Sequence, residues 1–281
     1  VNGAITVDNS NLLVATTTGK VTATIATTET VTELATLSAD GGTNDLTIVI
    51  RAADATASTA AQLNTINDAT AVAVNLTNVT ALAGSSLADL GTLATAINAS
   101  QFSNAGGLTT IAVTDTTVDA TALAARIDSY DSINAGLTTG MTLASGATIE
   151  VDAGEITEML ADETANRLTI GDQLITVTNP VSVDTANLLA ATTTGKVTAT
   201  IATSETVTEL ATLSADGGTN DLTIVIKGAD ATSATAAQLN TINDATALAV
   251  NLTNVTALAG STLADLGTLA TAINASQFSN A

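Results

Sequence analysis

Acidic and amide side chains surround a pair of glycines in a turn that occurs twice in the sequence. Residues 39–46 read Ala-Asp-Gly-Gly-Thr-Asn-Asp-Leu, and residues 215–222 repeat them without change. Carboxylate and amide oxygens are hard ligands that suit Ca²⁺, and adjacent glycines let the backbone turn tightly and present its carbonyls. The sequence therefore predicts calcium as a cofactor, bound by these oxygen donors: Asp40, Asn44, Asp45, Asp216, Asn220 and Asp221.

The same turn has a second interpretation, which the sequence leaves open. It can connect a helix to a strand, with Gly41 or Gly42 at positive φ and Asp45 facing water. The turn resembles the Gly-Gly-x-Gly-x-Asp turn of calcium-binding toxin-type repeats. It lacks the third glycine of that turn and is one residue short.

Carboxylates also cluster at Glu155, Glu158, Asp162 and Glu163. Paired carboxylates can perform acid–base hydrolysis, but the same spacing is typical of the solvated face of a short amphipathic helix. The chain has no His and no Cys, which removes the commonest general base and the usual transition-metal ligands. We therefore predict that the chain is not an enzyme.

The charge balance excludes several classes of partner. The chain carries 27 acidic and six basic residues, a net charge of −21. Nucleic acids and anionic lipid surfaces are bound through Lys and Arg, so neither is an expected partner. Thr, Asp or Asn interrupts every apolar run before it reaches the length of a membrane span, so no membrane insertion is expected. Without Cys, disulfides give no indication of the compartment.

Most of the sequence is a near-exact duplication. Residues 11–105 align with residues 187–281 at a constant offset of 176, and eight of the 95 positions differ, each by a conservative change. We divide the chain into a first copy at 1–105, divergent middle units at 106–181 and a second copy at 182–281. The chain has no initiating Met, and the second copy stops where the first continues as Gly106. We expect a segment of a longer repetitive array.

The hydrophobic pattern alternates between strands and short helices. Leu87, Leu90, Leu93, Ala94 and Ile97 share one helical face, and Ser85 is placed to cap that helix. The predicted strands are 21–25, 46–50, 71–76, 109–113, 147–151 and 174–178, with copies at 197–201, 222–226 and 247–252. The run 46–50 is nearly continuous in apolar character, which predicts a strand covered on both faces.

This alternation predicts an α/β fold: an elongated solenoid of strand–short-helix units with parallel strands. We expect units of roughly 25–40 residues, three of them to each 176-residue period. A scarcity of aromatic residues, with only Phe102, Tyr130 and Phe278, favours the thin core of a solenoid. The alternative is a string of tandem Thr/Val-rich β-sandwich domains.

Two polar patterns make finer predictions. Val-Asp pairs at 7–8, 118–119, 151–152 and 183–184 precede helical spacing, so each Asp is expected to cap a helix, and Asp152 with Glu155 has the spacing of a capping box. Asn75 and Asn78, repeated at Asn251 and Asn254, match glycosylation sequons. In so Asn- and Thr-rich a chain, a ladder of polar residues along a solenoid edge is the preferred interpretation.

Residues 60–70 (AAQLNTINDAT) and 79–90 (VTALAGSSLADL) resemble segments of giant repetitive surface proteins of cyanobacteria and other aquatic bacteria. The resemblance implies secretion, calcium association and a role in surface layers, filaments or adhesion. We expect a structural repeat segment of an extracellular rod, filament or surface-layer array. The alternative is the stalk of an adhesin whose binding domain lies elsewhere. The expected partners are further copies of the repeat, with surface glycans or polysaccharides as candidate contacts.

Overall fold

A computed structural model describes residues 2–39, 43–133, 140–214 and 219–281. The described residues form an α/β structure with ten α-helices and sixteen short strands. The helices are α1 (Val7–Thr16), α2 (Val31–Leu34), α3 (Ala60–Asp68), α4 (Leu87–Asn98), α5 (Ala120–Ile133), α6 (Ile156–Thr164), α7 (Val183–Thr192), α8 (Val207–Leu210), α9 (Ala236–Asp244) and α10 (Leu263–Asn274). None of them is both long and apolar enough to span a bilayer.

The strands are two to five residues long. They are β1 (Ala4–Ile5), β2 (Thr22–Ile25), β3 (Asp45–Thr47), β4 (Val74–Asn75), β5 (Ala81–Ser85), β6 (Phe102–Ser103), β7 (Thr110–Val113), β8 (Thr117–Asp119), β9 (Met141–Leu143), β10 (Thr148–Val151), β11 (Leu168–Thr169), β12 (Leu174–Val177), β13 (Val197–Thr200), β14 (Asp221–Thr223), β15 (Val250–Asn251) and β16 (Phe278–Ser279).

Every strand pair among the described residues is parallel, and each pair joins strands from two successive segments. The sheet orders are β1-β2-β3, β4-β6, β11-β9-β7-β5, β14-β13-β12-β10-β8 and β15-β16. Ala4 pairs with Thr24, 20 positions later, and Thr117 with Thr148, 31 positions later. Parallel pairing with intervening helices confirms the α/β class, and it makes the β-sandwich alternative wrong because sandwiches are built from antiparallel sheets.

Helices mark the segments more regularly than strands do. Six helices, α1 to α6, begin before α7, which is the copy of α1. Their starts are 24 to 36 residues apart. The period of 176 residues therefore contains six helix-bearing segments rather than the three expected.

The described chain falls into two compact units. The first comprises Val1–Thr116, Thr121–Ala144 and Glu158–Thr169, and contains the three-stranded and four-stranded sheets. The second comprises Thr117–Ala120, Ser145–Thr157 and Ile170–Ala281, and contains the five-stranded sheet. In each unit, Leu, Ile, Val and Ala fill the core.

Two local predictions are wrong. In the 46–50 run, Leu46, Ile48 and Ile50 are buried while Thr47 is exposed, so this strand is covered on one face only. Asp8 and Asp184 lie inside the first turns of α1 and α7, and the caps are the preceding hydroxyls of Thr6 and Ser182. A hydroxyl cap followed by an acid in the first turn satisfies both the free amides and the helix dipole.

Candidate functional site

The predicted calcium turns place their amide side chains in the core. The Asn44 carboxamide oxygen accepts a hydrogen bond from the Val21 amide at 2.8 Å, and Asn220 does the same for Val197 at 2.7 Å. Both side chains are buried. Each Asn therefore joins the start of one strand to the neighbouring strand. Asp40 and Asp216, the first predicted ligands of each turn, lie outside the described residues.

The second acid of each turn already faces a cation. Lys20 Nζ lies 2.6 Å from Asp45 Oδ2, and Lys196 Nζ lies 2.5 Å from Asp221 Oδ2. Across the described ranges, no three His, Cys, Asp or Glu side chains gather in a way that could hold a metal ion. Asn44 and Asp45 are neighbours in the chain, but their side chains have different partners: Asn44 accepts from the Val21 amide and Asp45 pairs with Lys20. Calcium binding by these residues stays a prediction.

The acidic cluster of the middle units is divided between two structural roles. Glu155 Oε2 accepts a hydrogen bond from the Asp152 amide at 3.1 Å, which is the Glu half of the predicted capping box ahead of α6. Asp162 is buried, and its Oδ1 lies 2.5 Å from Arg167 Nη2. Glu158 is exposed.

Arg167 holds together a small ionic network. Its Nη1 is also 3.7 Å from Asp128 and 3.9 Å from Asp131. Burial raises the pKa of the Asp162 carboxyl, and the Arg167 guanidinium opposes part of that shift. This network connects α5 to the segment after α6. The cluster in which the sequence offers a carboxylate pair therefore contributes to structure here.

A second set of polar residues links successive segments, and sequence reasoning missed it. In these links the first amide of a helix donates its hydrogen bond to a side-chain oxygen of the next segment. The Val31 amide donates to Asp54 Oδ2 at 2.8 Å, and the Leu87 amide donates to Asp115 Oδ2 at 2.8 Å. Ser85, expected to cap α4, instead accepts from the Ala60 amide at the start of α3. Ser86 is the α4 cap.

The second copy repeats these links. The Val207 amide donates to Asp230 and the Ala236 amide to Ser261, each at 2.9 Å. A helix N-terminus presents free amides and a positive dipole end, so an acid or hydroxyl oxygen from the next segment stabilises it. The only signal in the sequence is an Asp or Ser about 23–28 positions after the starts of α2, α3, α4, α8 and α9, which local capping rules do not search.

Threonine and asparagine provide the matching links between strands. Thr70 Oγ1 accepts from the Leu46 amide and donates to the Leu46 carbonyl, both at 2.9 Å. Asn78 donates to the Ile50 carbonyl at 2.7 Å. Asn104 donates to the Asn75 side chain at 3.0 Å. The interpretation of Asn75 and Asn78 as a polar ladder predicted such contacts.

An open groove lies between α3 and α4. It has a volume of about 570 Å³ and is lined by Asn64, Asn67, Asp68, Gln101 and Arg126, among others. Asn67 and Gln101 hydrogen bond to each other across it at 3.3 Å. Asp68 is the one carboxylate in the lining and is exposed, so the groove does not assemble an acid–base pair.

The chain matches no family model, no curated protein and no solved structure. The arrangement of its own residues therefore carries the functional argument: parallel strands and cross-segment caps that recur from one segment to the next.

Proposed function

We propose that the chain is an elongated α/β solenoid that serves as a structural repeat of a long extracellular surface protein. In this proposal each helix-bearing segment forms one coil, and coils stack through parallel strands. The observation that carries it is the direction of the polar links. Asp54, Ser85 and Asp115 each satisfy a helix start in the preceding segment.

With such links each coil contacts only the coil before it and the coil after it, and the proposed fold requires no contacts between distant coils. In repeat proteins a coil buries its apolar face only against the adjacent coils, so length can be set by the number of repeats. The conservative differences between the two copies support this, because a part that sets length tolerates duplication. The acidic surface, with a net charge of −21, supports solubility for a long rod.

The resemblance to bacterial surface proteins supports an extracellular location in a filament, rod or surface-layer array. Self-association with further repeats follows from the same stacking, and surface glycans remain candidate contacts. An adhesin stalk would use the same rod with a recognition domain elsewhere. Electron microscopy separates these uses, because a filament or lattice self-associates whereas stalks stay single.

Small-angle X-ray scattering tests the proposed architecture. The chain is compared with a version extended after Ala281 by residues 106–281, one further period of six segments. Parallel strands are about 4.8 Å apart, so the proposal predicts that the maximum dimension increases by about 30 Å while the cross-section stays constant. An increase in the cross-sectional radius instead would show a globular packing of the added segments and overturn the proposal.

A further inference from the structure

We propose that the second copy carries a docking surface for a strand–helix segment of the kind formed by residues 106–133. The surface, here called the C-terminal face, consists of the 257–261 stretch and the side of α10 that bears Leu263, Leu266, Ala270 and Ile273. This inference rests on the proposed stacking of segments and specifies which kind of segment binds to the exposed end of the stack.

The first copy shows the same residues covered. Leu82 is 1% exposed and Leu90 is 0% exposed, whereas their counterparts Leu258 and Leu266 are 38% and 37% exposed. Leu263 is 89% exposed. Apart from the Ser86/Thr262 exchange the local sequences are identical, so the difference lies in what packs against them. Large clustered apolar side chains in water are typical of an interaction surface.

Residues 106–133 are the cover in the first copy. Strand β7 pairs with β5, Leu82 opposite Ile111 and Ser85 opposite Val113. The Tyr130 hydroxyl donates to the Leu90 carbonyl at 3.0 Å. The 257–261 stretch keeps its bonds to the preceding segment, including Ala259 N to Ala234 O at 2.8 Å. Its other edge pairs with no strand in the described part of the chain, and an open strand edge accepts a further strand.

Gly260 and Gly267 of the C-terminal face leave room for the close approach of a neighbouring segment. A Cβ at Gly91 would lie 2.8 Å from Arg126 Nη1, and a Cβ at Gly84 would lie 2.6 Å from Thr114 Cγ2. Their counterparts Gly267 and Gly260 have nothing within 4 Å of such a Cβ. A glycine inside a helix costs stability, so Gly267 is explained by the close approach that Gly91 makes to Arg126.

The start of α10 presents an open capping position as well. Asp115 caps the Leu87 amide in the first copy. Among the described residues, no carboxylate reaches the Leu263 amide in the same way. The expected occupant therefore brings an aliphatic strand, an acid two residues beyond it, and a helix with an Arg and a Tyr at the spacing of Arg126 and Tyr130.

A second copy of this chain cannot supply that segment from its own middle units. Its β7 already lies between β5 and β9. A second copy could only approach through another edge, which would give a concentration-dependent dimer and no requirement for the sequence of residues 106–133. We therefore commit to a strand–helix segment with the sequence features of residues 106–133 as the occupant.

The test appends residues 106–133 after Ala281 and compares this chain with one bearing a scrambled tail of equal composition. Hydrogen exchange of residues 257–267 is the readout. Docking predicts exchange at least roughly tenfold slower with the native tail than with the scrambled tail. Equal exchange in the two chains overturns the inference.

Variants make the comparison specific to the face. Leu258→Glu with Leu266→Glu changes two side chains that are 38% and 37% exposed. Circular dichroism checks that this variant folds, and the protection given by the native tail should be lost. Leu188→Glu is the matched control, because Leu188 is 52% exposed on α7 and outside the face. Protection that survives the double variant, or a dimer that forms regardless of the tail, overturns the inference. A tail that fails to dock would overturn this inference alone, since the proposed stacking of the segments within the chain does not depend on what binds the C-terminal face.

Discussion

Tyr130 is a buried residue whose protonation depends on whether the chain is folded. Burial raises the pKa of the Tyr130 phenol well above its usual range, although Arg126 opposes part of the shift. The folded state thus keeps the proton while the unfolded chain releases it near pH 10. Because the folded pKa is the higher one, this contribution to stability is complete below about pH 10 and is lost as the pH rises further.

We predict that phenolate absorbance appears together with unfolding above about pH 10 rather than before it. Tyr130 is the only tyrosine, and the chain has no Trp, so the ultraviolet signal belongs to this residue alone. Tyr130→Phe should remove the alkaline step in stability and lower the free energy of unfolding at neutral pH by about 1 kcal/mol through the lost hydrogen bond. A phenol that titrates near pH 10 in the folded chain would contradict the prediction.

The residue types of the site were predictable, but their partners were not. The sequence predicts Asn44 as a calcium ligand because a carboxamide oxygen suits a hard cation. The same oxygen equally suits a buried amide, and it accepts from Val21 23 positions away. No local pattern in the sequence distinguishes the two uses, because the partner is chosen by strand register.

Helix starts and the acids of the next segment form the principal links at the scale of elements. Asp54 accepts from Val31 and is buried beside Arg51, whose Nε lies 2.9 Å from Asp54 Oδ2. In the second copy, Lys227 replaces Arg51 and its ammonium donates to the Ser204 carbonyl instead. Asp230 is also less buried than Asp54.

We therefore predict that Asp54→Ala destabilises α2 by about 1–3 kcal/mol, since the Val31 amide loses its acceptor and Arg51 its partner. Asp230→Ala should destabilise α8 by less. Amide exchange measured separately for the two helices gives both values in one chain. Asp68→Ala is the control, because Asp68 is exposed at the end of α3, where an acid is unfavourable to the dipole. Equal losses at the two caps would show that Arg51 contributes nothing.

Gly91 in α4 and Gly267 in α10 occupy equivalent positions in the two copies, so the same substitution can be compared at both. Gly267→Ala should raise the free energy of unfolding of α10 by about 0.5–1 kcal/mol, because the added methyl meets open space. Gly91→Ala should give no such gain, because the Arg126 guanidinium must move. Chemical denaturation followed by circular dichroism measures both. A gain of equal size at Gly91 would mean that Arg126 does not depend on the close approach.

Long helices and apolar strands were predictable, while short elements depended on their neighbours. The 87–98 helix has a clear apolar face, and its prediction is confirmed. Strand β5, with the sequence Ala-Leu-Ala-Gly-Ser, was missed because Ala, Gly and Ser have little strand preference. The identical stretch 257–261 is not a strand. Pairing with β7, rather than local sequence, makes Ala81–Ser85 a strand.

At the scale of the whole molecule, repulsion between acidic residues opposes the hydrogen bonds that connect successive segments. With 27 acidic residues against six basic ones, repulsion acts along the entire chain. We predict that the melting midpoint rises with NaCl, because screening shortens the range of repulsion from about 30 Å at 0.01 M to about 3 Å at 1 M. Thermal melting at graded NaCl concentrations measures this. A midpoint that falls would show that ion pairs such as Arg51 with Asp54 outweigh the repulsion.

Calcium binding can be separated from that general screening. At matched ionic strength, NaCl, MgCl₂ and CaCl₂ are compared by thermal melting, and a chelator reverses any effect of calcium. A site in the duplicated turns predicts a higher midpoint in CaCl₂ than in MgCl₂, since Ca²⁺ tolerates irregular oxygen coordination whereas Mg²⁺ demands near-ideal octahedral geometry. The increment should disappear in the Asp45→Asn, Asp221→Asn double variant. In that variant Lys20 and Lys196 lose their carboxylate partners, so its baseline is taken without divalent ions. Equal midpoints in Ca²⁺ and Mg²⁺ would remove the calcium prediction and leave both turns as structural connections.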